Sequence, residues 1–228
     1  MNISTLKTAT AAAALLSFTG VAAAQVTATA TTDLNIRSGP GPEHSVIGVI
    51  GDSEQASIHG CLEGSQWCQV SYDGVEGWAY SDYLTGNLAG QEEVFISQRP
   101  PEADIPTVTY ETTASTDDNS GALAGGTTGA IAGAIIGGPA GAAVGGAAGA
   151  VAGGAIDTVT PPQEVVTYVE QNTGEPVYLE GEVVVGAALP ETVDIREIPD
   201  YDYRYAYVNG QPVLVEPGDR RIVYVMRQ

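Results

Sequence analysis

The stretch Q-W-C-Q-V-S-Y, Gln66 to Tyr72, followed by Asp73 and then G-V-E-G-W-A-Y-S-D-Y-L, Gly74 to Leu84, decides the fold of the first third of this chain. Apolar and polar residues alternate up to Asp73-Gly74, a pair that adopts the positive φ angles of a two-residue hairpin turn, and alternation resumes beyond it. Working outward, Leu34-Asn35-Ile36-Arg37 alternates and stops at Ser38-Gly39-Pro40-Gly41-Pro42, Val46 to Ile50 stops at Gly51-Asp52, and Ala56 to Ile58 leads to Cys61. Several short strands at such close spacing predict a small β-barrel over residues 26–86.

L-N-I-R-S-G-P-G from Leu34 to Gly41, the Trp67-x-x-Val70 pair and the Gly74–Leu84 stretch together resemble a bacterial SH3-like (SH3b) domain, over about a quarter of the chain. The resemblance implies a binding module that docks cell-wall peptides or escorts a cell-wall enzyme. Candidate ligand-binding residues on its surface are Arg37, Glu43, His44, Trp67, Tyr72, Trp78, Tyr80 and Tyr83, because amphipathic aromatic side chains suit small concave sites. For Trp67 and Trp78 a core position is the competing and favoured reading. His44 and His59 are isolated histidines with no metal-ligand spacing, and no metal or cofactor is expected.

The N-terminus, residues 1–24, has one lysine, Lys7, then an apolar run from Ala9 to Val21 and small residues up to Ala24. This is the pattern of a secretory signal peptide cut after Ala24, and the run is too short for a membrane span. Lys7 is the only lysine, so its removal leaves seven arginines against 28 acidic residues, a net charge near −21. Such a surface repels nucleic acid and anionic lipid. Export also gives a reading to the only two cysteines, Cys61 and Cys68, as a disulfide.

The exported chain divides into a barrel at 25–87, an acidic linker at 88–120, a Gly/Ala-rich segment at 121–156 and a C-terminal unit at 163–228. The linker is rich in Pro, Thr, Asp and Glu, a composition of solvated, extended chain. In the third segment Gly121, Gly125, Gly129, Gly133, Gly137, Gly141, Gly145, Gly149 and Gly153 keep a perfect step of four. Each glycine costs about 0.8–1 kcal/mol of helix propensity relative to alanine. That cost is recovered where backbones approach closely, as in small-xxx-small helix packing. The pattern resembles the glycine-zipper segments of bacterial outer-membrane and secreted proteins. Gly137-Gly138-Pro139 punctuates it, so a helical hairpin is expected, with arms at Gly121–Gly137 and Ala140–Ile156.

In the C-terminal unit, Tyr168 to Glu180 weakly echoes Tyr207 to Glu216, each copy reading as two strands around an Asn/Gly turn. Glu182 to Gly186 and Arg220 to Val225 read as further strands, and the unit as β-rich. G-E-V-V-V-G-A-A-L-P, I-P-D-Y, V-N-G-Q-P-V-L-V-E-P and R-R-I-V-Y-V resemble an uncharacterised C-terminal domain family of proteobacterial envelope proteins. Tyr201, Tyr203, Tyr205 and Tyr207 alternate, which sets four phenols on one strand face. A face packed on its own sheet is preferred there to an aromatic ligand platform.

The fold class expected is therefore mainly β: an SH3-like barrel, a Gly/Ala-rich helical hairpin and a small β-rich C-terminal domain. Catalytic parts are missing, since the cysteines are bonded, no lysine survives export, and the carboxylate-rich segment has no pocket to tune it. The function expected is that of a non-enzymatic exported envelope protein, periplasmic, outer-membrane associated or secreted. Its SH3b module would bind a cell-wall peptide or an envelope protein, and its zipper would mediate membrane association or homo-oligomerisation. The alternative is a secreted zipper assembly that scaffolds or permeabilises membranes.

Overall fold

The computed structural model describes residues 26–110, 130–136 and 159–227. The expected leader, residues 1–24, lies outside the described residues. The N-terminal sheet contains β1 (Val26–Ala30), β2 (Leu34–Arg37), β3 (Val46–Ile50), β4 (Gln55–Leu62), β5 (Trp67–Tyr72), β6 (Val75–Tyr80), β7 (Leu84–Leu88) and β8 (Gln91–Phe95). Their order is β3-β2-β6-β5-β4-β1-β7-β8, with every neighbour antiparallel. The Asp73-Gly74 turn joins β5 to β6 as expected, with both residues at positive φ. Gly77 lets β2 approach β6: a Cβ there would lie 2.5 Å from the Arg37 carbonyl oxygen. Cys61 and Cys68 face each other across β4 and β5 and are disulfide-bonded, as the cysteine count predicts.

Part of the expected acidic linker is folded. Strand β8 closes a hairpin with β7 through Ala89-Gly90, both at positive φ, and Ile96 is fully buried beyond it. Strand β9 (Thr107–Val108) then pairs parallel to the end of β4, where the Cys61 amide donates to the Pro106 carbonyl oxygen at 2.9 Å. The apolar residues Val94, Ile96, Ile105 and Val108, spaced through the acidic sequence, pack against the core and hold this segment to the sheet.

The glycine ladder also departs from expectation where it is described. Ala130–Ile135 forms a strand, β10, parallel to β11 (Tyr178–Glu180), in place of the first helical arm. β-branched residues such as Ile131 and Ile135 favour strand geometry. Ile136 is buried, and its amide donates to the Glu180 carbonyl. Of the nine ladder glycines Gly133 sits in β10; the others, and the second arm, lie outside the described residues.

The C-terminal unit holds α1 (Gln163–Gln171) and a four-stranded sheet, β12 (Arg196–Glu197), β13 (Arg204–Val208), β14 (Gln211–Val215) and β15 (Ile222–Val225), in sequence order. The helix replaces an expected strand around Tyr168. Its signals are Pro162 before the first turn, Glu164 within it, and Val165 and Val169 one turn apart on the buried face. The two copies of the internal echo therefore fold differently, the second alone forming a hairpin, β13 to β14. Glu182 to Gly186, expected as a strand, is an irregular buried segment. Tyr205 and Tyr207 lie on a covered face: their hydroxyls donate to the Asn172 and Val169 carbonyls at the end of α1, at 3.0 and 2.9 Å. Helix-end carbonyls lack intrahelical partners, so these bonds fasten α1 to the sheet.

One hydrophobic core runs through both units, joining Leu34, Ile36 and Leu84 to Val183, Val208 and Val213; a second cluster lies under α1. The disulfide closes a short loop and stabilises mainly by restricting the unfolded chain, by roughly 2.5 kcal/mol for a loop of this size. Replacing Cys61 and Cys68 together by serine lowers the unfolding free energy by about that amount in urea titration, with the native far-UV spectrum retained.

Candidate functional site

The first of the expected surface residues, Arg37, is not on the surface. It ends β2 in the shared core at 1% exposure, opposite Glu182 at 0%. Two parallel bonds join them, Arg37 Nε to Glu182 Oε2 at 2.5 Å and Nη2 to Oε1 at 2.6 Å. The guanidinium's remaining donors reach the carbonyls of Pro42 at 3.0 Å and His44 at 2.7 Å, and make long contacts of 3.4 Å to the Asn209 carbonyl. One side chain thus shapes the Ser38–Ser45 turn from within and ties it to the C-terminal unit. Glu182 also accepts from its neighbour Val183 amide and from Asn35 Nδ2, which donates to Gln211 Oε1 at 2.7 Å as well. Asn209, at φ 51° in the β13–β14 turn, bonds the Leu179 amide and the Gly181 carbonyl.

Arg37, Asn209 and Gln211 of this network line a cleft of about 510 Å³ between the units. Its walls are the turn residues Pro42, Glu43 and His44, strand β3 with Ile47, and Asn209–Pro212 with Met226 and Arg227. Strand β3 ends the sheet order, with β2 on one side and no strand on the other among the described residues. Ile47 is 44% exposed there. Arg227 is anchored at the other wall by Asp33. The cleft therefore combines an apolar strip, an exposed carboxylate on Glu43, a guanidinium and an unpaired sheet edge.

On the far side of His44 lies an aromatic face. The His44 ring covers Gly39, where a Cβ would lie 2.6 Å from the imidazole. Tyr110 meets His44 edge-on at 5.9 Å between centroids and Trp78 at 5.5 Å. Trp67 and Trp78 are buried, the reading favoured for them, and Tyr80 and Tyr83, expected as surface candidates, are buried as well. Trp67 packs edge-on against Tyr80, and Tyr80 against Tyr83. Burial and the nearby carboxylates of Asp82 and Glu182 raise the ionisation of both tyrosines far above the ordinary range. Tyr72 is half-buried beside the β5–β6 turn, away from the other candidates. The structure thus unites Arg37, Glu43, His44 and Trp78, and separates Tyr72.

Glu182, Asn209, Gln211 and Tyr110 were not among the expected site residues. Glu182 carried no local signal: it stands two residues after Glu180, and its partner lies 145 positions away. Tyr110 carried none, standing in sequence that reads as linker.

Comparison with known proteins agrees with this division. Residues 32–85 match the bacterial SH3 domain family, and residues 168–227 match a domain of unknown function, DUF1236. Over 63 residues the chain is 38% identical to the putative N-acetylmuramoyl-L-alanine amidase YrvJ of Bacillus subtilis, covering 27% of this chain and 12% of that protein. No solved structure matches.

Removing one partner of a buried ion pair leaves the other uncompensated, at a cost of about 3–5 kcal/mol. Glu182→Ala is expected to lose that much in denaturant titration, and Arg37→Met with Glu182→Leu to recover most of it. For the buried phenols, a folded-state ionisation raised above the unfolded value means stability that is intact below the unfolded pKa of ~10 and lost as pH climbs above it. Alkaline titration followed at 295 nm and by circular dichroism should show Tyr80 and Tyr83 ionising together with unfolding and not before it. The region that matches the bacterial SH3 domain, residues 32–85, thus shares one hydrophobic core with the region that matches DUF1236, residues 168–227.

Proposed function

We propose that this chain is a non-enzymatic, exported envelope protein that holds cell-wall peptide in the cleft between its SH3 and DUF1236 units. The observation that carries the reading is the cleft itself: the unpaired β3 edge offers main-chain groups, Ile47 an apolar contact, and Glu43 and Arg227 opposite charges. A short peptide bearing both amine and carboxylate groups suits that arrangement, with main-chain pairing supplying affinity and the charges orientation. The SH3 match and the likeness to an amidase named for a wall bond support the wall as the source of such peptides. Signal-like residues 1–24 support export, to the periplasm or the outer membrane. The step-of-four glycines support a further association of residues 121–156 with a membrane or a second copy; no helix among the described residues is long and apolar enough to cross a membrane.

The test is co-sedimentation of the full-length exported protein with purified sacculi. Retention is expected, reduced at least fivefold by Ile47→Asp, and competed by soluble wall peptides. Equal retention of Ile47→Asp and the parent protein places binding elsewhere, and no retention of either refutes wall binding.

A further inference from the structure

Residues 103–110 cross the N-terminal sheet as a strap, and the surface beneath them has the form of a peptide receptor. Ala103, Ile105 and Val108 face the core, Thr107 and Val108 pair parallel to Cys61 and Leu62, and Tyr110 ends the strap edge-on to both Trp78 and His44. Gly60 provides the seat. A Cβ on it would lie 2.5 Å from Val108 Cγ1 and 2.7 Å from the Pro106 carbonyl oxygen, while its φ is not positive, so space and not backbone conformation requires glycine there. His44 likewise lies flat over Gly39, presenting its ring to Tyr110.

The hold on the strap is slight compared with the fit. Two residues pair, Thr107 and Thr109 are exposed, and Tyr110 is itself 38% exposed. We propose that the Gly60–Trp78–His44 surface is a docking site for an extended segment of a partner protein, carrying an aliphatic residue followed two positions later by an aromatic one, and that Val108 and Tyr110 occupy it in cis until such a segment displaces them. The main-chain bond to Cys61 gives any extended chain a common anchor, and the two side-chain seats read its sequence. Edge-on aromatic contact selects tyrosine or another aromatic at the second seat. The surface lies across His44 from the cleft between the units, and docking there does not depend on wall binding.

The probe is a fluorescein-labelled synthetic peptide of residues 101–110, titrated by anisotropy against the full chain and a strap-disabled form, Val108→Asp with Tyr110→Ala. The strap-disabled form is expected to bind the peptide at least tenfold more tightly than the parent chain. Adding Gly60→Val should abolish the gain, as should replacing the peptide's tyrosine by alanine. A strap-disabled form that keeps the parent far-UV spectrum and cooperative unfolding but binds no better overturns the proposal, as does a gain that survives Gly60→Val. Should that form fail to fold, Tyr110→Ala alone is read out by acrylamide quenching in a Trp67→Phe background, where Trp78 is the remaining tryptophan. At least a twofold rise in quenching is expected, and unchanged quenching overturns the proposal.

Discussion

The Arg37–Glu182 pair joins residues 145 positions apart, with both side chains buried. Two buried charges are tolerated only when paired with good geometry and further hydrogen bonds, because desolvation costs several kcal/mol per ion. Here the fork-to-fork bonds, the Pro42 and His44 carbonyls, Asn35 and the Val183 amide supply them. The consequence reaches beyond stability. The same guanidinium bonds the turn that carries Glu43 and His44 and reaches the Asn209 carbonyl, so that turn and the C-terminal unit share one buried anchor. The pair thus links the two units by directional bonds, in addition to the apolar core they share. It is not free of strain in its polar accounting: Asn35 Oδ1 is buried without a partner, a cost of about 1–3 kcal/mol.

Cations are scarce, and three of the arginines in the C-terminal unit hold main-chain oxygens or carboxylates. Arg220 holds the Leu189, Pro190 and Val193 carbonyls, Arg221 reaches the Gly186 carbonyl and Asp219, and Arg227 clasps Asp33 across the units. Guanidinium groups present several donors in a rigid plane, so a few can satisfy many carbonyls of irregular chain. The Glu182–Val193 region, which forms no strand, depends on them for partners. Among the described residues most acidic side chains lie at the surface.

Period-two patterning, turn residues and the cysteine pair made the N-terminal strands and the disulfide legible, because these are local signals. Three things were not. The helix Gln163–Gln171 was hidden by Val165, Val166 and Val169, residues that favour strands until a tyrosine-rich sheet face offers them a packing surface. The Ala130–Ile135 strand was hidden by a glycine period that fits a helix equally well, and only the edge offered by Tyr178–Glu180 separates the two. The burial of Arg37 was hidden because its partner lies in another unit, and no local pattern reports a long-range ion pair. Of the candidate site, Glu43 and His44 were legible from the turn; Glu182, Asn209 and Gln211 were not, being brought there by the fold.

The misplaced boundary of the acidic segment carries the most weight for function. Composition marks residues 88–120 as solvated chain, yet a few apolar residues and a tyrosine suffice to lay part of it on the sheet. Residues 103–110 are held by two residues of pairing and by the side chains of Ala103, Ile105, Val108 and Tyr110. His44 stands between it and the cleft, its ring on Tyr110 and its carbonyl on Arg37. A change on the aromatic face therefore meets the cleft at one residue, held in place from inside by the same buried charge that joins the two units.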